Sequence, residues 1–310
     1  MNRGVLSLGV IAALVVAIFV FSGTAAGVGT TREYTLIVTE QSVQYSSGRN
    51  FTAWVYNGSI PGPILRANVG DTIKVTLVNK ASLKHSIHVH GFEYSVTDDG
   101  SQSPNSTPSM VPPGMSYTYT FNATRPGFYP YHCHSDDKYG ISVHVQQGLQ
   151  GGIIIDDGTL AANPAKEYFV ILNEVYDKPV LSIGHGCSYC AMNSKYFALN
   201  SKQFPLPQAR NLQTGAIEHP TARTGEKVRF YVLNLGNDIH TFHIHGHDLR
   251  KRSPSTFSTT DIVDGDNKAV LTAEAFILET TARSPGYWLY HCHMDVHADL
   301  GMMGIFRVTP

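Results

Sequence analysis

The chain carries two copies of a histidine- and cysteine-rich pattern that could bind metal ions. Each copy has a His-x-x-His-x-His segment followed by a His-Cys-His segment. Imidazole and thiolate together are the ligand types that copper uses in electron-transfer sites, whereas zinc sites more often use pairs such as Cys-x-x-Cys. The pattern therefore predicts two related copper-binding halves. The first contains His85, His88, His90, His132, Cys133 and His134, and the second His240, His243, His245, His291, Cys292 and His293.

The spacing within each segment suits a β-strand. Successive side chains of a strand point to opposite faces, so His132 and His134 would lie on one face and Cys133 on the other. One strand could then serve two metal sites. We expect the paired histidines to share a site on one side, while the thiolate enters a separate site behind it.

The second copy contains a complete ligand set for a blue-copper, or type 1, electron-transfer site. Such a site uses two histidines, one cysteine and a weak axial group. His240 and Cys292 are followed by His297 and then by Met302 at the axial position. We therefore expect His240, Cys292, His297 and Met302 to bind one copper ion.

The first copy has the corresponding residues, but its ligand loop is longer. His144 lies eleven residues after Cys133, and Leu149 stands where the second copy has Met302. Leucine cannot coordinate a metal. A copper ion held by His85, Cys133 and His144 should be three-coordinate, with a higher reduction potential than the Met302 site.

Eight histidines in four pairs remain, a number that suits three copper ions. Their arrangement resembles the trinuclear cluster of the multicopper oxidases, and the chain is similar to a two-domain, laccase-like member with blue copper in both domains. Segments 57–63 and 70–72 also resemble first-domain strands of that family. The resemblance implies two tandem cupredoxin-like Greek-key β-barrel domains, hence an all-β fold.

The same resemblance implies a role for each remaining histidine, and about four or five copper ions per chain. The type 2 copper would be bound by His88 and His243. The type 3 pair would be bound by His90, His132, His134, His245, His291 and His293. The long interval between Cys133 and His144 instead resembles the copper nitrite reductases.

Composition agrees with two β-rich domains. The 310 residues allow two domains with ample cores, and a net charge of −1 gives no indication of nucleic-acid binding. Short alternating runs such as 72–78 and 227–233 predict strands. We expect domain 1 over residues 33–158 and domain 2 over residues 165–310, with turn residues between them.

The N-terminal segment and two further cysteines bear on the compartment. Residues 1–27 contain a basic residue, an apolar run and small residues, which predicts a signal peptide or an uncleaved membrane anchor. Either places the protein outside the cytoplasm. Cys187 and Cys190 would form a disulfide in an oxidising compartment, or else belong to a copper-loading or redox-active site.

The resemblance implies an oxidase that couples one-electron oxidation of a small reductant to the four-electron reduction of dioxygen to water. Electrons would enter near His297 or His144, whose loop positions resemble the family's substrate-facing ligand. Proton supply has four candidates close to the first cluster segment: Glu93, Tyr94, Asp98 and Asp99. Resemblance to small laccases favours Asp99 as donor and Tyr94 as a cluster-side aromatic residue, although Asp98-Asp99-Gly100 also suits a plain turn.

Two other functions stay open at this point. A copper nitrite reductase would keep a blue site and one catalytic copper, although it does not require two His-Cys-His strands. A non-catalytic copper or electron carrier would hold one or two copper ions per chain. The resemblance further implies a homotrimer in which domain 1 of one copy meets domain 2 of the next. The reductant, whether phenol, metal ion or nitrogen compound, is not readable from the sequence.

Overall fold

The computed structural model describes residues 29–104, 107–135, 137, 139–163, 165–175, 196–252 and 265–310. The segment 1–27 and the pair Cys187 and Cys190 lie outside these residues. Among the helices that the structure describes, none combines the length and apolar character needed to span a membrane.

The first domain is a sandwich of two sheets. In its described residues one sheet has the strand order β2-β1-β4-β6 and the other β3-β8-β7-β5. A short helix, α1, precedes the last strand. The elements are β1 Thr31–Ser46, β2 Arg49–Tyr56, β3 Leu65–Asn68, β4 Thr72–Asn79, β5 His88–Val89, the 3-10 turns Val96–Asp98 and Thr107–Ser109, β6 Ser116–Asn122, β7 Gly127–His132, α1 Ile141–Gln146 and β8 Gln150–Asp156.

The second domain repeats this plan. Its described residues form one sheet with the path β12-β11-β9-β14-β18-β16, to which β10 adds beside β9, and a second sheet ordered β13-β20-β19-β15-β17. The elements are β9 Lys166–Val175, β10 Tyr196–Leu199, β11 Ala209–Asn211, β12 Ile217–Glu218, β13 Thr221–Arg223, β14 Lys227–Asn234, β15 His240–Ile244, β16 Arg250–Lys251, β17 Asn267–Val270, β18 Ala275–Thr281, β19 Gly286–His291, α2 Asp295–Asp299 and β20 Met303–Thr309.

The alternating runs of the sequence form strands as predicted. In β4 the side chains of Ile73, Val75 and Leu77 are fully buried, while the residues between them are more exposed. This alternation places one face of the strand in the core and the other towards solvent. The corresponding run of the second domain forms β14. The expectation of an all-β fold is confirmed.

An apolar core also joins the two domains. Phe128 of β7 packs against Phe169 of β9 and Tyr231 of β14, with ring centroids 5.5 and 5.3 Å apart. Val145 of helix α1 belongs to the same buried cluster, together with Leu235 of domain 2. Helix α1 therefore lies at the seam between the domains.

Strand register brings the histidine segments together. In domain 1 His88 of β5 pairs with His132 of β7, and in domain 2 His243 of β15 pairs with His291 of β19. Residues directly opposite on antiparallel strands have neighbouring side chains. Each domain therefore presents its two histidine pairs on one patch of sheet.

Candidate metal centres

Domain 1 gathers four histidines at one end of its sheet. The ring of His88 lies 5.2 Å from that of His90, 5.5 Å from that of His132 and 4.9 Å from that of His134. The Nε2 atoms of His90 and His132 are 3.0 Å apart. Two imidazole nitrogens at this separation, without a charge on either ring, are suited to bind one metal ion between them.

Backbone carbonyls fix how these rings are turned. Nδ1 of His88 lies 2.7 Å from the carbonyl oxygen of Asp99, and Nδ1 of His132 lies 2.9 Å from that of Cys133. A carbonyl can only accept, so each Nδ1 carries the proton and each Nε2 is left free for a metal. Burial lowers the pKa of His90 to about 4 and that of His132 to about 3, which keeps both rings neutral.

Domain 2 repeats the arrangement. The Nε2 atoms of His245 and His291 are 3.1 Å apart. Nδ1 of His243 lies 2.7 Å from the carbonyl oxygen of Asp266, and Nδ1 of His291 lies 2.8 Å from that of Cys292. The ring of His293 lies 5.1 Å from that of His243. The second patch thus offers the same free Nε2 atoms as the first.

The two patches do not meet within one chain. Every ring contact between these histidines joins residues of the same domain, and the groups of close ligand atoms found in the described residues are likewise confined to one domain each. Each patch supplies half of the histidines that a three-copper cluster would need.

Behind the domain 2 patch lies a site with one sulfur and two nitrogen ligands. Sγ of Cys292 is 3.9 Å from Nδ1 of His240 and 3.6 Å from Nδ1 of His297, and the two Nδ1 atoms are 3.1 Å apart. The thiol of Cys292 and the side chain of Met302 are fully buried. The backbone N–H of Thr241 also donates to the sulfur at 3.4 Å.

A buried carboxylate and an aromatic ring enclose this site. Oε1 of Glu174 lies 3.1 Å from Nε2 of His240, and Phe197 stacks on His297 with centroids 3.9 Å apart and planes 11° apart. Burial opposes a proton on His240, but its contacts with Cys292 and Glu174 raise its pKa to about 9. A side chain on Gly236 would collide with the same carboxylate and imidazole, 2.6 and 2.8 Å from its Cβ.

The domain 1 site has the same three donors despite its longer loop. Sγ of Cys133 lies 3.8 Å from Nδ1 of His85 and 3.5 Å from Nδ1 of His144, and these nitrogens are 3.2 Å apart. All three side chains are fully buried. Burial opposes ionisation of the thiol, but the two neighbouring imidazoles bring the pKa of Cys133 well below its ordinary value.

Its surroundings differ from those of the domain 2 site. Here the carboxylate is Asp137, whose Oδ1 lies 3.0 Å from Nε2 of His144, whereas Nε2 of His85 has no hydrogen-bond partner among the described residues. The ring of Trp54 lies 4.7 Å from that of His144 and 5.5 Å from that of His85. In domain 2 the exposed carboxylate of Asp238 also faces the later histidine, with Oδ2 3.6 Å from Nε2 of His297, so the buried Glu174 beside His240 is the carboxylate without a counterpart among the described residues of domain 1.

Both sets of donors fit a copper ion. A metal about 2 Å from each of three trigonal donors sets those donors roughly 3.5 Å apart, in line with the separations above. The thiolate and imidazole donors are soft and borderline ligands that select copper over hard cations. The protons that the raised-pKa histidines His144 and His240 carry would be released when metal binds.

Both histidines expected near the point of electron entry lie below the surface of the chain. The imidazole of His144 is fully buried and that of His297 is 5% exposed. Trp54 and the interdomain seam cover the first, and Phe197 covers the second. A reductant would therefore reach these sites through covering residues and not through a bare imidazole.

Of the four proton-supply candidates, Asp99 lies beside a histidine of the domain 1 patch and Tyr94 contacts its carboxylate. Oδ1 of Asp99 is 3.5 Å from Nδ1 of His88 and accepts from the hydroxyl of Tyr94 at 3.1 Å. Asp98 instead accepts from the hydroxyl of Tyr117 at 2.9 Å, and Glu93 is exposed. Asp99 also follows a 3-10 turn, so the turn interpretation and the position beside His88 hold together.

Several residues around the sites were not found from the sequence. Glu174, Trp54, Asp137 and Phe197 enclose the sulfur sites, and Asp266 stands towards His243 as Asp99 does towards His88, with Oδ1 3.6 Å from Nδ1. None belongs to a motif, and most come from other strands or loops. Only comparison of the two copies, which predicts a partner for Asp99, could have pointed to one of them.

The fold and the repeated sites define a protein built from two cupredoxin-like domains, each with a sulfur site behind a histidine patch. The comparison with known families gives the same answer. Residues 37–159 and residues 192–310 each match a multicopper oxidase family. The chain belongs to the multicopper oxidases, and copper is the metal that these sites are suited to hold.

Known proteins similar to the chain include both oxidases and nitrite reductases. A solved multicopper oxidase is 27% identical, with a TM-score of 0.73 over 90% of this chain and 89% of that one. The copper nitrite reductase of Nitrosomonas europaea is 26% identical, with a TM-score of 0.73 over 90% of this chain and 94% of that one.

A relative from Kuenenia stuttgartiensis, described as a "probable nitrite reductase-hydroxylamine oxidoreductase fusion protein", is 27% identical over 279 residues. That match covers 86% of this chain but only 30% of the relative. The chain thus spans about a third of the length of this curated relative.

Proposed function

We propose that the protein is an extracytoplasmic copper oxidase that takes single electrons from a small reductant and reduces dioxygen to water. The observation that carries the proposal is the pair of histidine patches, one in each domain, with their Nε2 atoms free and a buried cysteine directly behind each. Bound copper would supply the storage and delivery of four electrons. The protein's own residues would orient the ligands, exclude water and deliver protons.

We assign the ligands as the sequence predicts. His240, Cys292, His297 and Met302 would hold one type 1 copper, and His85, Cys133 and His144 the other. His88 and His243 would hold the type 2 copper. The type 3 pair would take His90, His132 and His134 with His245, His291 and His293. This gives five copper ions per chain when every site is full.

The cluster would form between copies of the chain. Because the two patches stay apart within one chain, domain 1 of one copy must meet domain 2 of another to complete a cluster. A head-to-tail contact of this kind closes as a ring, and we propose a homotrimer. Exposed apolar side chains near the domain 2 patch, including Leu289 and Met294, would be covered in that contact.

Asp99 would supply protons to the cluster, with Tyr94 holding its carboxylate. The carboxylate lies beside His88, and the Tyr94 and Ser101 hydroxyls donate to its two oxygens. Burial raises the pKa of Asp99, but the hydroxyls of Ser101 and Tyr94 together with the neighbouring imidazoles of His88 and His134 lower it below its ordinary value, so the carboxylate can accept a proton for delivery.

A copper nitrite reductase is the second candidate. It is favoured by the similarity to the enzyme of Nitrosomonas europaea and by the long loop between Cys133 and His144. It gives no role to the second His-Cys-His strand, which the structure builds as completely as the first. A carrier without turnover likewise leaves the two histidine patches without a role.

The deciding experiment is an oxygen-electrode screen of the copper-loaded protein, with copper content measured on the same sample. Phenols, ferrous and manganous ions and hydroxylamine are offered as reductants, and nitrite is offered without oxygen. Oxygen consumption with four or five copper ions per chain supports the oxidase. Nitrite reduction without oxygen consumption supports the second candidate, and one or two copper ions without turnover the carrier.

A further inference from the structure

Helix α1, which carries His144, is bonded to the segment of domain 2 that leads to His240. Nε2 of Gln146 donates to the carbonyl oxygen of Leu235 at 2.7 Å, and the glutamine side chain is fully buried. Val145 and Leu235 belong to the same apolar cluster at the seam. The helix that carries a ligand of the domain 1 sulfur site therefore contacts domain 2 at Leu235.

From Leu235 the chain runs at once to the buried carboxylate beside His240. The backbone N–H of Asn237 donates to Oε2 of Glu174 at 2.8 Å, and Oε1 lies 3.1 Å from Nε2 of His240. Glu174 is 2% exposed. The loop is packed so closely that Gly236 has no room for a Cβ.

A second contact crosses the same seam. Nδ2 of Asn237 donates to Oγ of Ser142, in the first turn of helix α1, at 3.3 Å. Asn237 therefore contacts the helix that carries His144 and, through Glu174, the imidazole of His240. Between the two sulfur sites of one chain the route consists of short covalent segments joined by hydrogen bonds, without a gap across solvent.

We propose that this seam lets the two sulfur sites of one chain exchange an electron directly. The inference rests on the proposed function, since it takes both sites as holding copper. One electron leaves the cuprous ion bound by Cys292 and reduces the cupric ion bound by Cys133. No bond is made or broken, and no proton moves. The electron runs in this direction because Leu149 cannot coordinate, which makes the domain 1 copper the easier one to reduce.

In a head-to-tail ring this exchange would connect neighbouring clusters. Cys133 of one copy and Cys292 of the next would lie behind the same cluster. Each chain would contribute domain 1 to one cluster and domain 2 to the neighbouring cluster. Electron exchange within the chain would therefore connect these two clusters. Electrons taken up at any site could then be collected at whichever cluster has bound dioxygen.

The test follows the two blue sites after a flash that delivers less than one electron per chain to the anaerobic, copper-loaded protein. Cys133→Ser and Cys292→Ser proteins give the separate spectra. We expect a phase in which the Cys292 site is reoxidised while the Cys133 site is reduced by an equal amount, at a rate independent of protein concentration. Absence of matched phases overturns the proposal.

The route itself is tested with Gln146→Leu, which keeps side-chain volume and touches no metal ligand. Loss of its bond to Leu235 should slow the exchange severalfold. Both blue bands should persist. The matched control is Gln208→Leu, since Gln208 is equally buried but has no side-chain hydrogen-bond partner in the described structure. Equal exchange rates in the wild-type, Gln146→Leu and Gln208→Leu proteins would contradict the route.

Exchange within a chain is separated from exchange between chains by co-expressing the two single-cysteine variants. No chain of this mixture holds both sulfur sites, so the matched phases should disappear. Their persistence would show transfer between chains and overturn the proposal. Failure of the proposed oxidase function would appear differently, as matched phases in a protein that consumes no oxygen.

Discussion

The backbone N–H of Cys133 donates to the carbonyl oxygen of Leu149 at 3.0 Å. In domain 2 the N–H of Cys292 donates to the carbonyl of Met302 at 3.1 Å. Leu149 therefore occupies the position of the axial methionine, although the loops before the two residues differ in length. The two sulfur sites share the arrangement of their three donors, and at the axial position they differ in the chemistry of one side chain.

Replacing Leu149 by methionine should lower the reduction potential of the domain 1 copper. A thioether donates to copper and favours the oxidised ion, whereas leucine gives no donor. We expect a shift on the order of tenfold in the redox equilibrium, about 59 mV for one electron. Redox titration of the blue bands measures it. Met302→Leu is the matched variant and should raise the potential of the other site. A raised potential in Leu149→Met, or a lowered one in Met302→Leu, would contradict the assignment of these positions.

Substituting alanine for Gly236 should damage the domain 2 sulfur site alone. The new Cβ would lie 2.6 Å from Oε1 of Glu174 and 2.8 Å from Nε2 of His240, so the imidazole must move. Copper affinity should fall roughly 10- to 100-fold. Copper titration followed by absorption checks this, and the domain 1 band serves as the internal control. If the variant shows both blue bands and binds copper at the domain 2 site with wild-type affinity, the close packing of this loop has no effect on the site.

The metal-free protein should lose stability in acid as its histidine patches take up protons. Burial lowers the pKa of His90 to about 4 and that of His132 to about 3, from 6.5. Below pH 6.5 the unfolded chain therefore binds more protons than the folded one, and stability falls with pH until those lower values are reached. The slope should be about 1.4 kcal/mol per pH unit for each histidine.

Denaturant unfolding of the apo protein between pH 7 and pH 4 measures this slope. His90→Gln and His132→Gln should each flatten it. A stability that stays constant over the range would mean that these imidazoles are protonated as readily in the fold as in the unfolded chain.

Asp99→Asn should slow oxygen reduction without altering the blue bands. The amide keeps the shape of the carboxylate but cannot carry protons to the cluster side of His88. General acid–base groups of this kind increase reaction rates by roughly 10²–10⁴-fold. Reoxidation of the fully reduced protein by dioxygen, followed over pH, measures the loss. Asp98→Asn is the matched control because its carboxylate faces Tyr117; equal losses would remove Asp99 from the proposed role.

The sequence predicts the ligands better than it predicts what surrounds them. Alternation along a strand and the repeated His-Cys-His segments place Cys133 and Cys292 behind the histidines, and the structure brings these donors together. Glu174 lies 66 residues before His240 and reaches it only because β9 packs beside the seam. Such contacts depend on how sheets pack, which no local pattern encodes.

The burial of His144 likewise could not be predicted from the sequence. Its loop position indicates a ligand, but its exposure depends on helix α1 lying against domain 2. The two carboxylates differ in origin, because Glu174 reaches His240 from β9 whereas Asp137 belongs to the long loop between Cys133 and His144. The repeat fixes what the two sites share, while loop length, the axial residue and domain packing decide how they differ.

The most direct test of a cluster shared between copies is complementation. One variant replaces His88, His90, His132 and His134 by alanine, and a second replaces His243, His245, His291 and His293. Each should keep both blue bands and consume no oxygen. Co-expressed in equal amounts, they should regain about a quarter of wild-type oxygen consumption, because about three quarters of randomly assembled trimers contain both variants and each of these restores one of its three interfaces. Activity in either variant alone, or none in the mixture, would contradict a cluster assembled from two copies.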